Sequence, residues 1–89
     1  MRIEFDSAKD ESNREKHGLS LALASSFDWD QALVWIDERY EYNELRMVAL
    51  VPDIHTMYYV AFVDRGGIRR VISLRKANRR EAKRYVQHG

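Results

Sequence analysis

The sequence predicts an α+β domain: a small antiparallel sheet of about four strands, a short strand ahead of it, two amino-terminal helices and one carboxyl-terminal helix. Three observations lead there. Four runs rich in apolar, β-branched and aromatic residues crowd into residues 32–74, and turns too short for a crossover make successive strands antiparallel. Polar segments carrying helix-capping residues lie on either side of them. At 89 residues, 45% hydrophobic and 33% charged, the chain is too apolar for disorder, too charged for a membrane protein and large enough for one modest core. Residues 1–89 are therefore expected to be a single domain with helices packed on one face of the sheet.

RIEF (2–5) reads as the leading strand. Asp6 or Ser7 can cap a helix through AKDESNREKH, which Gly18 stops. This helix has almost no apolar stripe and should lie on the surface. Lys9, Asn13, Lys16 and His17 recur at spacings that share one face. Ser20 can cap a second helix, LALASSF, whose Leu19, Leu23 and Phe27 should turn inward until DWDQ ends it. The strands follow as ALVWI (32–36), LRMVALV (45–51), TMYYVAFV (56–63) and IRRVISL (68–74). Pro52-Asp53 and Asp64-Arg65-Gly66-Gly67 supply turns. Strict alternation would place Arg69, Val71, Ser73 and Arg75 on one face. Asn78 then caps the last helix, with Glu81 completing a capping box. Ala82, Tyr85 and Val86 form its narrow apolar face.

Charge is unevenly distributed. Residues 1–64 hold 6 Lys/Arg against 13 Asp/Glu, net −7, whereas residues 65–89 hold 9 against 1, net +8. Such asymmetry suits a polyanion-binding end or an internally neutralised pair of halves. The opening MRIEFDSAKDESNREK turns acidic and polar at once, unlike a secretory signal, and no cysteine is present. A cytoplasmic location is the expectation.

Cleavage of RNA without a metal requires a base for the 2′-hydroxyl proton, cations for the phosphate and an acid for the leaving oxygen. Arg46, Arg75 and Arg79 are candidates to grip the phosphate, since a guanidinium binds two oxygens at once. His17 suits proton transfer because imidazole titrates near neutrality; it can equally be a histidine placed at a helix carboxyl terminus. Glu44 can act as a base or pair with Arg46. Tyr85 is either a packing or a catalytic tyrosine. Arg69, Lys76, Arg80, Lys83 and Arg84 add cations for RNA. Trp29 and Trp35 can anchor the core or stack a base. No metal-ligand spacing and no glycine-rich phosphate loop occur, so neither metal nor cofactor is expected.

IEFDSAK, NREKHGLSL and ISLRKANRREAKRY, in this order and at these separations, resemble the BrnT family of bacterial type II toxin–antitoxin systems. The resemblance spans nearly the whole chain. It implies a RelE-like fold and endoribonuclease activity that arrests growth. It maps family motif positions onto Asp6, Lys9, Asn13, Lys16, His17, Gly18 and Ser20, then Glu44 and Arg46, then Ser73, Arg75, Lys76, Ala77, Arg79, Arg80, Glu81 and Tyr85. Phe5 stands where the family usually has tryptophan. The implied partner is a BrnA-like ribbon-helix-helix antitoxin, two toxins to two antitoxins, with DNA bound only through the antitoxin. The expected reaction leaves a 2′,3′-cyclic phosphate, with Lys9 in electrostatic support. The alternative is a noncatalytic nucleic-acid-binding or corepressor module acting with a DNA-binding partner.

Overall fold

A computed structural model describes residues 2–38 and 43–88. Its elements are β1 (Arg2–Glu4), α1 (Ser7–His17), a 3-10 helix (Leu21–Ser26), a short 3-10 turn (Trp29–Gln31), β2 (Leu33–Ile36), β3 (Met47–Pro52), β4 (Met57–Arg65), β5 (Ile68–Lys76) and α2 (Arg79–His88). The five strands form one sheet in the order β1-β5-β4-β3-β2. The α+β class is as expected. The sheet, however, is mixed: β2 to β5 run antiparallel, while β1 pairs parallel with β5. Short turns dictate the antiparallel pairing of β3 with β4 and of β4 with β5, but β1 meets β5 only through the rest of the chain and no turn fixes its direction.

Local chemistry sets the ends of α1. The Asp6 carboxylate accepts from the Ala8 N–H at 2.9 Å. Gly18, at φ 71°, closes the helix by donating its N–H to the Arg14 carbonyl at 2.9 Å; a side chain there would be strained. The hairpin between β4 and β5 needs the same freedom, with Gly66 at φ 54° and Gly67 at φ 81°. At the far end, the Asn78 N–H donates to Glu81 (2.9 Å) and the Glu81 N–H to the Asn78 side chain (2.8 Å), the expected reciprocal cap.

The second helix is 3-10 rather than α. With three residues per turn, Leu21 and Ala24 fall on one line and are fully buried, while Leu23 and Phe27 are partly buried beside them. This segment covers one face of the sheet, packing on Ala49, Val51, Val60, Phe62, Val71 and Leu74. The opposite face carries Val48, Leu50 and Tyr59 under Ala77 and Tyr85. Helices therefore lie on both faces, not one, because β3 and β4 are apolar on both sides. Val86 departs from the expected stripe and is 77% exposed. No helix among the described residues is long and apolar enough to cross a membrane.

The pairing of β4 with β5 carries one irregularity. Ala61 pairs with Ser73, but Phe62 pairs with Val71, leaving Ile72 as a β-bulge. The bulge breaks the alternation of β5. Val71 and Leu74 consequently both face the 3-10 segment, and Ser73 and Arg75 turn to the α2 face with Ala61 and Tyr59. Arg69 goes the other way: it pairs with Asp64 at 2.8 Å and lies over Trp29 and Phe62. The expected single row of Arg69, Ser73 and Arg75 is thus split between two faces.

Candidate functional site

The helix α1 has a polar inward side. Its buried residues are Asp10 and Asn13. β1 covers β5 only along Ile68, Arg69 and Arg70, so beyond Arg70 the outer edge of β5 needs another partner. Asn13 supplies it. Its amide oxygen accepts from the Leu74 N–H at 3.0 Å, and its NH₂ donates to the Leu74 carbonyl and the Leu19 carbonyl, both at 2.8 Å. One side-chain amide thus replaces a strand's peptide group and fixes α1 against the sheet.

Asp10 does similar work one turn earlier, accepting from the Leu21 N–H at 2.6 Å and the Ser20 hydroxyl at 2.9 Å. The backbone hydrogen bond from Leu21 is the main reason its carboxyl lies below the ordinary value of 3.8. A depressed folded-state value contributes stability above the ordinary carboxylate range, lost as pH falls through the lowered value. Urea midpoints of the wild type and Asp10→Asn should therefore differ at pH 7 and converge on acidification; an undiminished gap at pH 3 would refute the assignment.

Held in this way, α1 presents Lys9, Ser12, Lys16 and His17 to Arg46, Ile72 and Ser73 around a hollow of about 300 Å³. A second hollow of about 260 Å³ shares Lys9, Arg46 and Ile72 and continues to Glu44, Arg65 and Arg70. Together they form a trench between α1 and the sheet, rich in cations. Glu44 is held by two hydrogen bonds from Arg65. Those bonds are the chief cause of its lowered pKa and of the raised pKa of Arg65. Glu44 thus pairs with Arg65, not Arg46, and a carboxylate so stabilised is a weak proton acceptor. Arg70 donates to Glu4 at 3.1 Å. The half-buried Arg46 lies 3.8 Å from an Asp37 carboxylate that is 1% exposed. Lys9, Lys16 and His17 are exposed at the rim.

The expected site residues fall into two groups on the α2 face. Lys9, His17, Arg46 and Glu44 line the trench. Arg75, Arg80 and Arg84 line a larger groove of about 750 Å³ between β2 and α2, with Trp35, Asp37 and Tyr59. Asp37 joins the two, since it also pairs with Arg46. Arg75 is tightly engaged: it gives Glu81 two bonds, at 2.8 and 2.9 Å, and lies 4.0 Å over the Tyr59 ring. Arg79, Lys83 and Lys76 are exposed and line none of these hollows. The Tyr85 hydroxyl donates to the Gln31 carbonyl at 2.6 Å and its ring packs on the sheet, so its surroundings give it an anchoring role. Sequence reasoning missed Asp37, Arg65 and Arg70, which carry no local pattern. Among the described residues, no three His, Asp or Glu side chains stand close enough to share a metal ion.

The charge asymmetry is in large part internal neutralisation. The basic residues of β4 and β5 are largely neutralised internally, by the pairs Arg65–Glu44, Arg69–Asp64, Arg70–Glu4 and Arg75–Glu81. Those of α2 point outward.

A family model described as "Ribonuclease toxin, BrnT, of type II toxin-antitoxin system" matches residues 5–81. No match was found among curated proteins.

Proposed function

The chain belongs to the BrnT family of ribonuclease toxins of type II toxin–antitoxin systems, and from that premise we propose that it is a metal-independent endoribonuclease whose reaction takes place in the trench between α1 and the sheet. The family assigns ribonuclease activity and a protein antitoxin. The trench suggests how the first is achieved. The supporting observation is the convergence of Lys9 and His17 from α1, Arg46 from the approach to β3 and Ser73 from β5 around one hollow.

In this reading the scissile phosphate lies against Arg46, whose fork grips two non-bridging oxygens as negative charge develops. Lys9 adds a second positive charge. His17 takes the 2′-hydroxyl proton, since imidazole can exchange a proton at neutral pH and Glu44 is committed to Arg65. The 2′-oxygen attacks the adjacent phosphorus, the bond to the 5′-oxygen breaks, and a lysine ammonium on the same wall protonates the leaving oxygen. The products are a 2′,3′-cyclic phosphate and a 5′-hydroxyl. Arg75 and Arg79 serve the RNA backbone farther along the α2 face.

The partner in this proposal is a BrnA-like ribbon-helix-helix antitoxin in a complex of two toxins and two antitoxins, in the cytoplasm, on a toxin of RelE-like fold. Purified toxin, refolded free of antitoxin, should cleave RNA in excess chelator, and end mapping should find cyclic phosphate and 5′-hydroxyl termini. Loss of cleavage in chelator would overturn metal independence. Binding without cleavage, with or without ribosomes, would favour the noncatalytic reading.

A further inference from the structure

We propose that the groove between β2 and α2 is a nucleobase subsite, holding the base of a nucleotide next to the scissile phosphate in single-stranded RNA. This rests on the ribonuclease reading above and extends it to substrate selection. At about 750 Å³ the groove is the roomiest of the three hollows and within the range that small-molecule sites occupy.

Its walls have the chemistry of a base platform. Trp35 lies on β2, an edge strand of the sheet, so among the described residues no strand pairs with its outer side. The Arg84 guanidinium sits 4.0 Å over its ring, and Arg75 sits 4.0 Å over Tyr59. Two cation–aromatic contacts thus border one groove. A nucleobase can lie on such a guanidinium or take its place on the indole, because every base has a π face. Arg80, also on the rim, makes no ion pair with another described residue and suits a phosphate.

The groove adjoins the trench. Asp37 lines it and pairs with Arg46 at 3.8 Å. Ser73 in the trench and Arg75 in the groove are two residues apart on the same face of β5, roughly 7 Å by strand geometry. A strand of RNA gripped at Arg46 therefore brings its neighbouring base over Tyr59 and Trp35.

Three carboxylates border the groove. Asp37 is buried beside Arg46 and Glu81 is bound by Arg75, whereas Glu38 is exposed. Glu38 points to a base preference. The exposed Glu38 carboxylate accepts hydrogen bonds and cannot donate them. Guanine, offering a ring N–H beside an amino group, satisfies both of its oxygens. Uracil, with one N–H between two carbonyls, satisfies them least.

The test uses the whole toxin freed of antitoxin. Cleavage sites are mapped on random-sequence RNA for the wild type, Trp35→Leu and Glu38→Gln. Binding of a noncleavable 2′-deoxy oligonucleotide is followed by tryptophan fluorescence. The wild type should avoid uracil at one position flanking the cut and show quenching on binding. Trp35→Leu should weaken oligonucleotide binding about tenfold or more and abolish the quench. Glu38→Gln, which leaves the apolar packing intact, should relax the base preference. Unchanged preference and affinity in both variants would overturn the subsite. So would intact RNA binding with weakened antitoxin binding, which would make the groove an antitoxin surface. Quenching without any cleavage by the wild type would support the subsite while refuting the ribonuclease reading beneath it.

Discussion

Arg46→Ala should slow RNA cleavage by about 10²–10³-fold, the usual cost of removing one preorganised donor from a developing oxyanion. The loss should appear in the single-turnover rate on saturating RNA more than in affinity, because the RNA contacts proposed for α2 are left untouched. Arg46 borders both hollows of the trench and lies 3.8 Å from the buried Asp37 carboxylate, whose charge favours keeping the guanidinium there. Arg46→Lys keeps the charge but loses the paired donors, and should recover only part of the rate. Urea titration of each variant separates a chemical effect from one caused by leaving Asp37 short of a partner. A rate within threefold of wild type in a folded Arg46→Ala protein would remove Arg46 from the reaction. Arg79→Ala, by contrast, should have a small effect, since Arg79 lines none of the hollows.

The second large effect concerns stability. Asn13→Ala strips partners from the Leu74 N–H, the Leu74 carbonyl and the Leu19 carbonyl at once. Buried groups left unsatisfied cost about 1–3 kcal/mol each, with partial relief from water at the strand edge. A net loss of about 2–4 kcal/mol is expected in urea unfolding. Asn13→Asp should be no better, because a carboxylate cannot donate to either carbonyl and meets both with negative charge. Because α1 carries Lys9 and His17, cleavage should fall further than the unfolded fraction explains. A midpoint unchanged by Asn13→Ala would show that the amide is dispensable.

How much of the fold and the site could be read from the sequence depended on the range of the interaction. Gly18, the Gly66-Gly67 hairpin and the Asn78–Glu81 cap were legible because each is decided within a few residues. The shared face of Lys9, Asn13, Lys16 and His17 follows from helical spacing. What that face would meet does not: Arg46 and Ser73 reach it only through the sheet. The bulge at Ile72 left no mark in ISLRK, yet it sends Arg69 and Arg75 to opposite faces and divides the expected row of Arg69, Val71, Ser73 and Arg75. The parallel pairing of β1 with β5 was equally invisible, since partners so far apart in the chain constrain each other through the finished fold alone. Helix type was lost for a related reason. LALASSF is apolar enough for either geometry, and packing on Val60 and Leu74 selects the three-residue repeat.

The pairing of Arg2, Ile3 and Glu4 with Ile68, Arg69 and Arg70 has a consequence for synthesis. During translation, the first strand emerges long before its partner and must wait for it. The trench has the same long reach, because Lys9 and His17 require Leu74 to dock their helix. A nascent chain therefore has neither its mixed sheet nor an assembled trench until β5 has left the exit tunnel.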